Sequence, residues 1–280
     1  MPIIDYIQTT GGIIWTAACV PVGIFFSWLA VFIINKIPAS WLCDYGETPS
    51  DELLYQKRVS FKKEGVILSV LMCISFVLCR IQFNFGFDIY FIVLSLIIFT
   101  SMMIAVCDIK YMIIPDQFTA AVAVLSAALS AYDIIRGFRI LHVYWWSPLV
   151  GIAIGGGAML IIDFLGMKLY KKDGMGFGDV KLFAAAGILT GIVGTVCTLV
   201  ISLVTATVFF IVIIAVSKVR AKKSNSAQTE NLENTEAADD DEISLKSHLA
   251  FGPYISMALM IYIVLFDVVN YLAGLYLDLF

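Results

Sequence analysis

The chain is divided into apolar runs whose lengths match the thickness of a lipid bilayer. An α-helix needs about 20 apolar residues to cross the hydrocarbon core of a membrane. Hydrophobic residues make up 60% of the 280 positions and charged residues 14%, whereas a soluble domain is about half apolar and about a quarter charged. The sequence therefore predicts an all-α polytopic membrane protein with about eight transmembrane helices. The predicted spans are residues 12–34, 65–82, 89–107, 117–134, 146–167, 179–194, 196–217 and 250–274.

The region 179–217 allows two interpretations, one long tilted helix or two short spans joined by a turn at Gly191 and Gly194. Lys and Arg accumulate on the cytoplasmic side of membrane proteins. With eight spans and an external N-terminus, 15 of the 18 Lys and Arg residues face the cytoplasm. Merging the two spans would move the basic cluster at 218–223 to the outside, so the charge distribution favours eight spans.

Three domains are predicted from these patterns. Residues 1–34 form a first transmembrane span, which we expect to be retained because the N-terminal end lacks the basic region of a secretory signal. Residues 35–64 form a short cytoplasmic loop. Residues 65–280 form a membrane domain that includes the polar segment 218–249. That segment has few apolar residues to bury and ends in a run of acids, so it predicts a disordered cytoplasmic connection.

Two classes of function find no support in the sequence. Nucleic-acid binding requires a basic face, often with exposed aromatic residues, and no such pattern occurs. The six cysteines contain no CxxC pair, and the two histidines, His142 and His248, are isolated in sequence. No ligand set for zinc or for a metalloprotease is therefore predicted.

The informative ionisable groups are two aspartates at the ends of apolar runs, where burying a carboxylate is expensive. Asp108 follows the third predicted span and Asp179 opens the sixth. An odd-numbered span ends, and an even-numbered span begins, on the cytoplasmic side, so both residues are predicted at the same face. Two carboxylates at a partly desolvated site cannot both ionise cheaply and share a proton. One can then activate a water while its partner polarises a carbonyl, as an aspartyl protease requires.

Small and rigid residues flank both aspartates. Gly176 and Gly178, just before Asp179, leave backbone room for an extended substrate strand. Pro115 limits the movement of the segment that follows Asp108. We therefore expect these three residues to shape the site.

Each aspartate also has a simpler interpretation, as a loop residue or a helix cap. The alternative function is a non-catalytic membrane scaffold or a proton-coupled transporter whose carboxylates carry protons or ions. Transporters of that kind are commonly built from internal repeats with broken helices in matching positions. The sequence contains no convincing repeat, which favours the protease.

Three motifs in order along the chain resemble those of type IV prepilin peptidases. The segment Asp108–Asp116, Asp-Ile-Lys-Tyr-Met-Ile-Ile-Pro-Asp, looks like the first aspartate motif of that family. Gly174–Leu182, Gly-Met-Gly-Phe-Gly-Asp-Val-Lys-Leu, is similar to the second, and Phe251–Tyr254 resembles its Phe-Gly-Pro element. Together the motifs cover roughly residues 89–275.

The resemblance implies an eight-span helical membrane fold in the cytoplasmic membrane, with an active site that faces the cytoplasm. It implies substrates of the prepilin or pseudopilin class, cut after a glycine at the cytoplasmic end of their hydrophobic stem, besides contact with membrane lipid. It leaves the oligomeric state open. The implied catalytic residues are Asp108 and Asp179, and the implied substrate-binding or site-shaping residues are Gly176, Gly178, Pro115, Gly252 and Pro253.

Many bacterial members of that family also methylate the new N-terminus with S-adenosylmethionine, and their first cytoplasmic loop is longer and often carries paired cysteines that bind zinc. The loop 35–64 contains the single cysteine Cys43. We therefore predict cleavage without a metal or cofactor, and S-adenosylmethionine only if methylation is retained. A presenilin-type protease, which shares the GxGD motif, fits less well because Cys107 precedes the first aspartate and no Pro-Ala-Leu element occurs.

Overall fold

The computed structural model describes residues 10–43, 58–83, 89–137, 140–142, 144–170, 176–228 and 251–277. These residues form helices and connections, with no strand among them. A short 3₁₀ helix, Ala39–Leu42, follows the first long helix. The α-helices are α1 (Thr10–Lys36), α2 (Glu64–Gln82), α3 (Ile89–Tyr111), α4 (Asp116–Arg136), α5 (Ser147–Tyr170), α6 (Phe177–Gln228), α7 (Gly252–Val264) and α8 (Phe266–Leu277).

The helices are long and apolar enough to cross a membrane. Six of them meet this condition alone, and α7 and α8 add a seventh span if the bent pair is counted as one. Large apolar side chains such as Trp28, Ile67 and Ile161 are exposed on the outside of the bundle. Such a surface is stable in contact with lipid and not with water. The predicted all-α polytopic membrane fold is confirmed.

Helix α6 is broken at Gly191, which has φ 63° and ψ −160°. Only glycine adopts this backbone conformation readily. The first turns of α6 and α7 lie at the same end of the molecule, beside the last turn of α3. Past the break, Gly194 lies against Tyr262 near the end of α7, and the Phe209 ring lies 5.7 Å from the Tyr254 ring near its start. The chain therefore reverses direction at Gly191.

Within the described residues, this reversal divides α6, which is one candidate span, into two arms. A turn in this region was expected from the charges. The predicted boundary between 194 and 196 was wrong by a few residues. The break falls at Gly191 because the turn is held there from outside: Ser147 Oγ accepts a hydrogen bond from the N–H of Ile192 at 3.3 Å. The second arm also continues to Gln228. The start of the predicted loop 218–249 is thus helical, and residues 229–250 lie outside the described residues.

Other span ends differ from the prediction. Helix α3 runs to Tyr111 and not to residue 107, so that Asp108 lies within its last turn. The predicted last span, 250–274, is two helices that meet at an angle of 87°. No proline or glycine marks this bend. Asp267 lies in the first turn of α8, where a carboxylate favours the start of a new helix.

Helix α5 packs unusually close to the first arm of α6. A β-carbon placed at Gly151 would overlap the carbonyl oxygen of Gly187, and one placed at Gly155 would lie 2.6 Å from the carbonyl oxygen of Phe183. Glycine at these crossings lets two backbones meet directly, as small residues do in membrane helices. This packing fixes the direction of the arm that carries Asp179.

Replacing Gly151 by Ala is expected to destabilise the fold by about 1–3 kcal/mol, because overpacked cores must shift backbone to accommodate a new methyl. The matched control is Gly157→Ala in the same helix, where nothing lies within 4 Å of the added carbon. That change is expected to be neutral or stabilising, since alanine favours helix. Thermal unfolding in detergent measures both. Equal midpoints for the two variants would contradict the packing described.

A buried carboxylate stabilises the opposite end of the bundle. Asp133, near the end of α4, accepts a hydrogen bond from the Tyr90 hydroxyl at 2.6 Å. It also accepts the backbone N–H groups of Ile140, Leu141 and His142 at 3.0, 3.1 and 3.2 Å. The connection before α5 is therefore anchored to α3 and α4. Burial lowers the pKa of the His142 side chain in that connection.

The two ends of the predicted loop 35–64 are joined. Asn35 donates to the Val59 carbonyl at 3.1 Å and accepts the Val59 N–H at 3.1 Å. Arg58 donates to the carbonyls of Ile34 and Ile37 at 3.2 and 2.5 Å. Residues 44–57 lie outside the described residues. These bonds hold the described start of the loop against the bundle.

Candidate active site

The structure brings Asp108 and Asp179 to one cavity of about 470 Å³. Asp108 lies in the last turn of α3 and is 3% exposed, and Asp179 lies in the first turn of α6 and is 7% exposed. The two carboxyl groups are close enough to interact electrostatically. Two residues 71 positions apart in the chain therefore share one site.

Each carboxyl keeps an oxygen without a hydrogen-bond partner. These atoms are Asp108 Oδ2 and Asp179 Oδ1, and both are buried. Buried polar atoms nearly always have a partner in folded proteins. Neither carboxyl forms an ion pair within the described residues. Both oxygens can therefore bind a water or a polar group of a substrate, and the backbone N–H of Gly252 is a further donor close to the Asp108 carboxyl.

The turn between α3 and α4 forms one wall of the cavity. Met112 has a positive φ of 54°, uncommon for a residue with a side chain, and its N–H donates to the Asp108 carbonyl at 2.9 Å. Pro115 lines the cavity and precedes α4. Gly178 leaves room for Ile114 because it has no side chain. A β-carbon placed on Gly178 would lie only 3.1 Å from the β-carbon of Ile114. Gly178 therefore packs this turn against Asp179.

Gly252 lies directly behind Asp108. A β-carbon at this position would lie 2.5 Å from Asp108 Oδ2 and 2.7 Å from Ile114 Cδ1. The absence of a side chain lets the first turn of α7 approach the carboxyl. Pro253 is buried in the same turn and does not line the cavity. Gly176 also lines the cavity. A β-carbon placed on Gly176 would lie 3.9 Å from Asp179 Oδ2.

The opposite wall comes from the first loop, which the sequence did not indicate. Ser40, Trp41 and Cys43 line the cavity. The Trp41 ring packs edge-on against Phe118 of α4, with ring centroids 6.4 Å apart. No motif marks these residues, because their role depends on the bonds that hold the loop against the bundle.

Comparison with known proteins identifies the part of the chain that carries this site. Residues 91–211 match the model of the type IV leader peptidase family. This match supports the predicted family. The prepilin leader peptidase/N-methyltransferase of Xanthomonas campestris pv. campestris is 29% identical over 138 residues, which cover 49% of this chain and 43% of that protein. The chain thus aligns with less than half of that relative. No solved structure matches the chain.

The matched residues contain both aspartates, which supports the predicted family. The Phe-Gly-Pro element lies C-terminal to the matched residues, yet Gly252 contacts Asp108. The fold therefore adds a neighbour to the site that the matched segment does not contain.

An ion pair lies at the edge of the cavity. Lys181 Nζ donates to both carboxylate oxygens of Asp116, at 2.8 and 3.0 Å, and lies 5.2 Å from the centre of the Phe177 ring. Lys181 is two residues from Asp179 but pairs with α4 instead. The ion pair connects the starts of α4 and α6 at the edge of the site.

No group of three or more His, Cys, Asp or Glu side chains that could hold a metal occurs within the residues that the structure describes. Cys43 is the one cysteine of the loop 35–64.

Proposed function

We propose that this chain is a membrane endopeptidase that removes the leader from prepilin- or pseudopilin-like proteins, with Asp108 and Asp179 as its catalytic pair. The family of residues 91–211 supports a leader peptidase. The observation that carries the proposal is the pair of buried carboxyls, each with an oxygen free of partners, in one cavity. Structural carboxylates are normally satisfied, as Asp133 is by four donors.

The chemistry follows from one proton shared between the two carboxyls. One aspartate is ionised and takes a proton from a water held between them, and the water oxygen attacks the carbon of the scissile carbonyl. The other aspartate is protonated and donates a hydrogen bond to the carbonyl oxygen, which stabilises the developing charge. Collapse of the tetrahedral intermediate breaks the C–N bond, and the departing amine takes up the proton that the first aspartate removed from the water. The pair is then left with its one shared proton, as at the start. Such acid–base catalysis typically contributes about 10²–10⁴-fold in rate.

We propose that the cut lies after a glycine at the cytoplasmic end of the substrate stem. The distribution of Lys and Arg supports a cytoplasmic position for the site, and with it a multi-pass protein of the cytoplasmic membrane. Gly176 lines the cavity without a side chain, which leaves backbone space beside Asp179. This space suits an extended substrate segment with a glycine at the cut.

The test is incubation of the detergent-purified protein with a prepilin-like substrate, followed by intact mass spectrometry with and without S-adenosylmethionine. We expect a single cut at the junction between glycine and the hydrophobic stem, and no added methyl group. A cut in the middle of the stem would favour a presenilin-type protease. Absence of cleavage from every such substrate would contradict the proposal and favour a scaffold or a proton-coupled transporter.

A further inference from the structure

A second cavity, of about 440 Å³, lies in the membrane region next to the first. It runs between α4 and the first arm of α6, with Ile152 of α5 as a further wall. Asp116 and Lys181 line both cavities. The groove therefore continues from the ion pair at the edge of the site into the apolar part of the bundle.

The two helices present matching small faces to this groove. Helix α4 contributes Asp116, Thr119, Ala120 and Ala123, spaced i, i+3, i+4 and i+7. This spacing places all four side chains on one side of a helix. Ala120 is exposed, so the groove opens to the outside of the bundle.

The first arm of α6 repeats the spacing with Lys181, Ala184, Ala185 and Ile188. Beyond the groove the helices meet again, where Ser130 Oγ donates to the Ile188 carbonyl at 3.1 Å. The groove is thus bounded by an ion pair at one end and a hydrogen bond at the other. Four alanines and one threonine line the groove between these two contacts.

We infer that this groove holds the apolar, single-span stem helix of the substrate while its leader enters the catalytic cavity. The inference rests on the proposed function, which requires a substrate cut at the end of such a stem. Alanine-lined surfaces allow close approach of another helix in a membrane. The groove leads to the two nine-tenths-buried carboxyls with unpartnered oxygens, so a stem seated in it delivers the adjoining peptide to them.

The kinetic test fills the groove without disturbing the core. Ala120→Phe places a ring in the groove, and Ala128→Phe is the matched control, because Ala128 is also an exposed alanine of α4 and does not line the groove. With a stem-containing substrate, Ala120→Phe is expected to raise KM about tenfold with a smaller change in kcat. Ala128→Phe is expected to change either constant less than about twofold. An unchanged KM in Ala120→Phe would overturn the inference.

A binding test identifies the occupant directly. A photo-crosslinking phenylalanine analogue is introduced at 120 or at 128 in the Asp179→Asn background, so that bound substrate is not consumed. The expected product is a covalent adduct of enzyme and substrate stem at 120 and little at 128. Equal yields at the two positions, lipid adducts alone at 120, or adducts between two copies of this chain at 120 would each overturn the inference.

The two proposals fail in different ways. If the wild-type protein cuts no prepilin-like substrate, the proposed function is wrong. If it cuts the substrate normally and neither test separates position 120 from position 128, the function stands and the docking groove is wrong.

Discussion

Asp108→Asn and Asp179→Asn are each expected to lower the rate of leader cleavage by about 10³-fold or more, because paired catalytic groups act as a unit. Asparagine has nearly the same shape as aspartate but can neither accept the proton from water nor hold the shared proton. Both side chains are buried with an oxygen that has no partner, so little stabilising interaction is lost. Initial rates from intact mass spectrometry measure the effect.

The matched control for this prediction is Asp163→Asn. Asp163 also lies in a membrane helix, α5, and does not line the cavity. We expect it to keep a rate within a few-fold of wild type, and all three variants to unfold at nearly the wild-type temperature. A wild-type cleavage rate in either Asp108→Asn or Asp179→Asn would exclude the proposed mechanism.

Gly252→Ala is expected to lower the cleavage rate by about 10²-fold, since a displacement of about 1 Å at a reacting group costs this much. The added β-carbon would lie 2.5 Å from Asp108 Oδ2 and 2.7 Å from Ile114 Cδ1. Both atoms are ends of side chains that can move. The fold should therefore persist, while the Asp108 carboxyl is pushed away from its working position.

Gly274→Ala serves as the control for this change, because nothing lies within 4 Å of a β-carbon at that position. It should leave the cleavage rate unchanged. The unfolding temperature of Gly252→Ala should stay close to that of wild type. A normal rate in Gly252→Ala would show that the first turn of α7 does not position Asp108.

The sequence predicts those features of this protein that depend on local chemistry. Apolar runs mark the membrane helices because a lipid-facing helix needs about 20 apolar residues. Charges in the loops then assign each span a direction, and direction alone predicts that Asp108 and Asp179 lie at one face. The structure brings both to one cavity. Pro115, Gly176 and Gly178 also lie where their neighbours in sequence indicate.

Features that depend on contacts between distant segments could not be predicted. The sequence offered both Gly191 and Gly194 for the turn in α6, and the structure places it at Gly191, where Ser147 and His142 lie against the chain. The bend between α7 and α8 at Leu265 contains no glycine or proline that would predict it from the sequence. Trp41 lines the cavity because the hydrogen bonds of Asn35 and Arg58 join the two ends of the loop that contains it. The sequence around each of these residues fits other arrangements equally well.

We propose that the two carboxyls act together in cutting the leader. The most direct measurement is a double-mutant cycle on the single-turnover rate of leader removal, with wild type, Asp108→Asn, Asp179→Asn and the double variant. We predict that the double variant is about as slow as either single variant, because removing one member already disables the pair. Losses that multiply in the double variant, or a wild-type rate in either single variant, would contradict the claim.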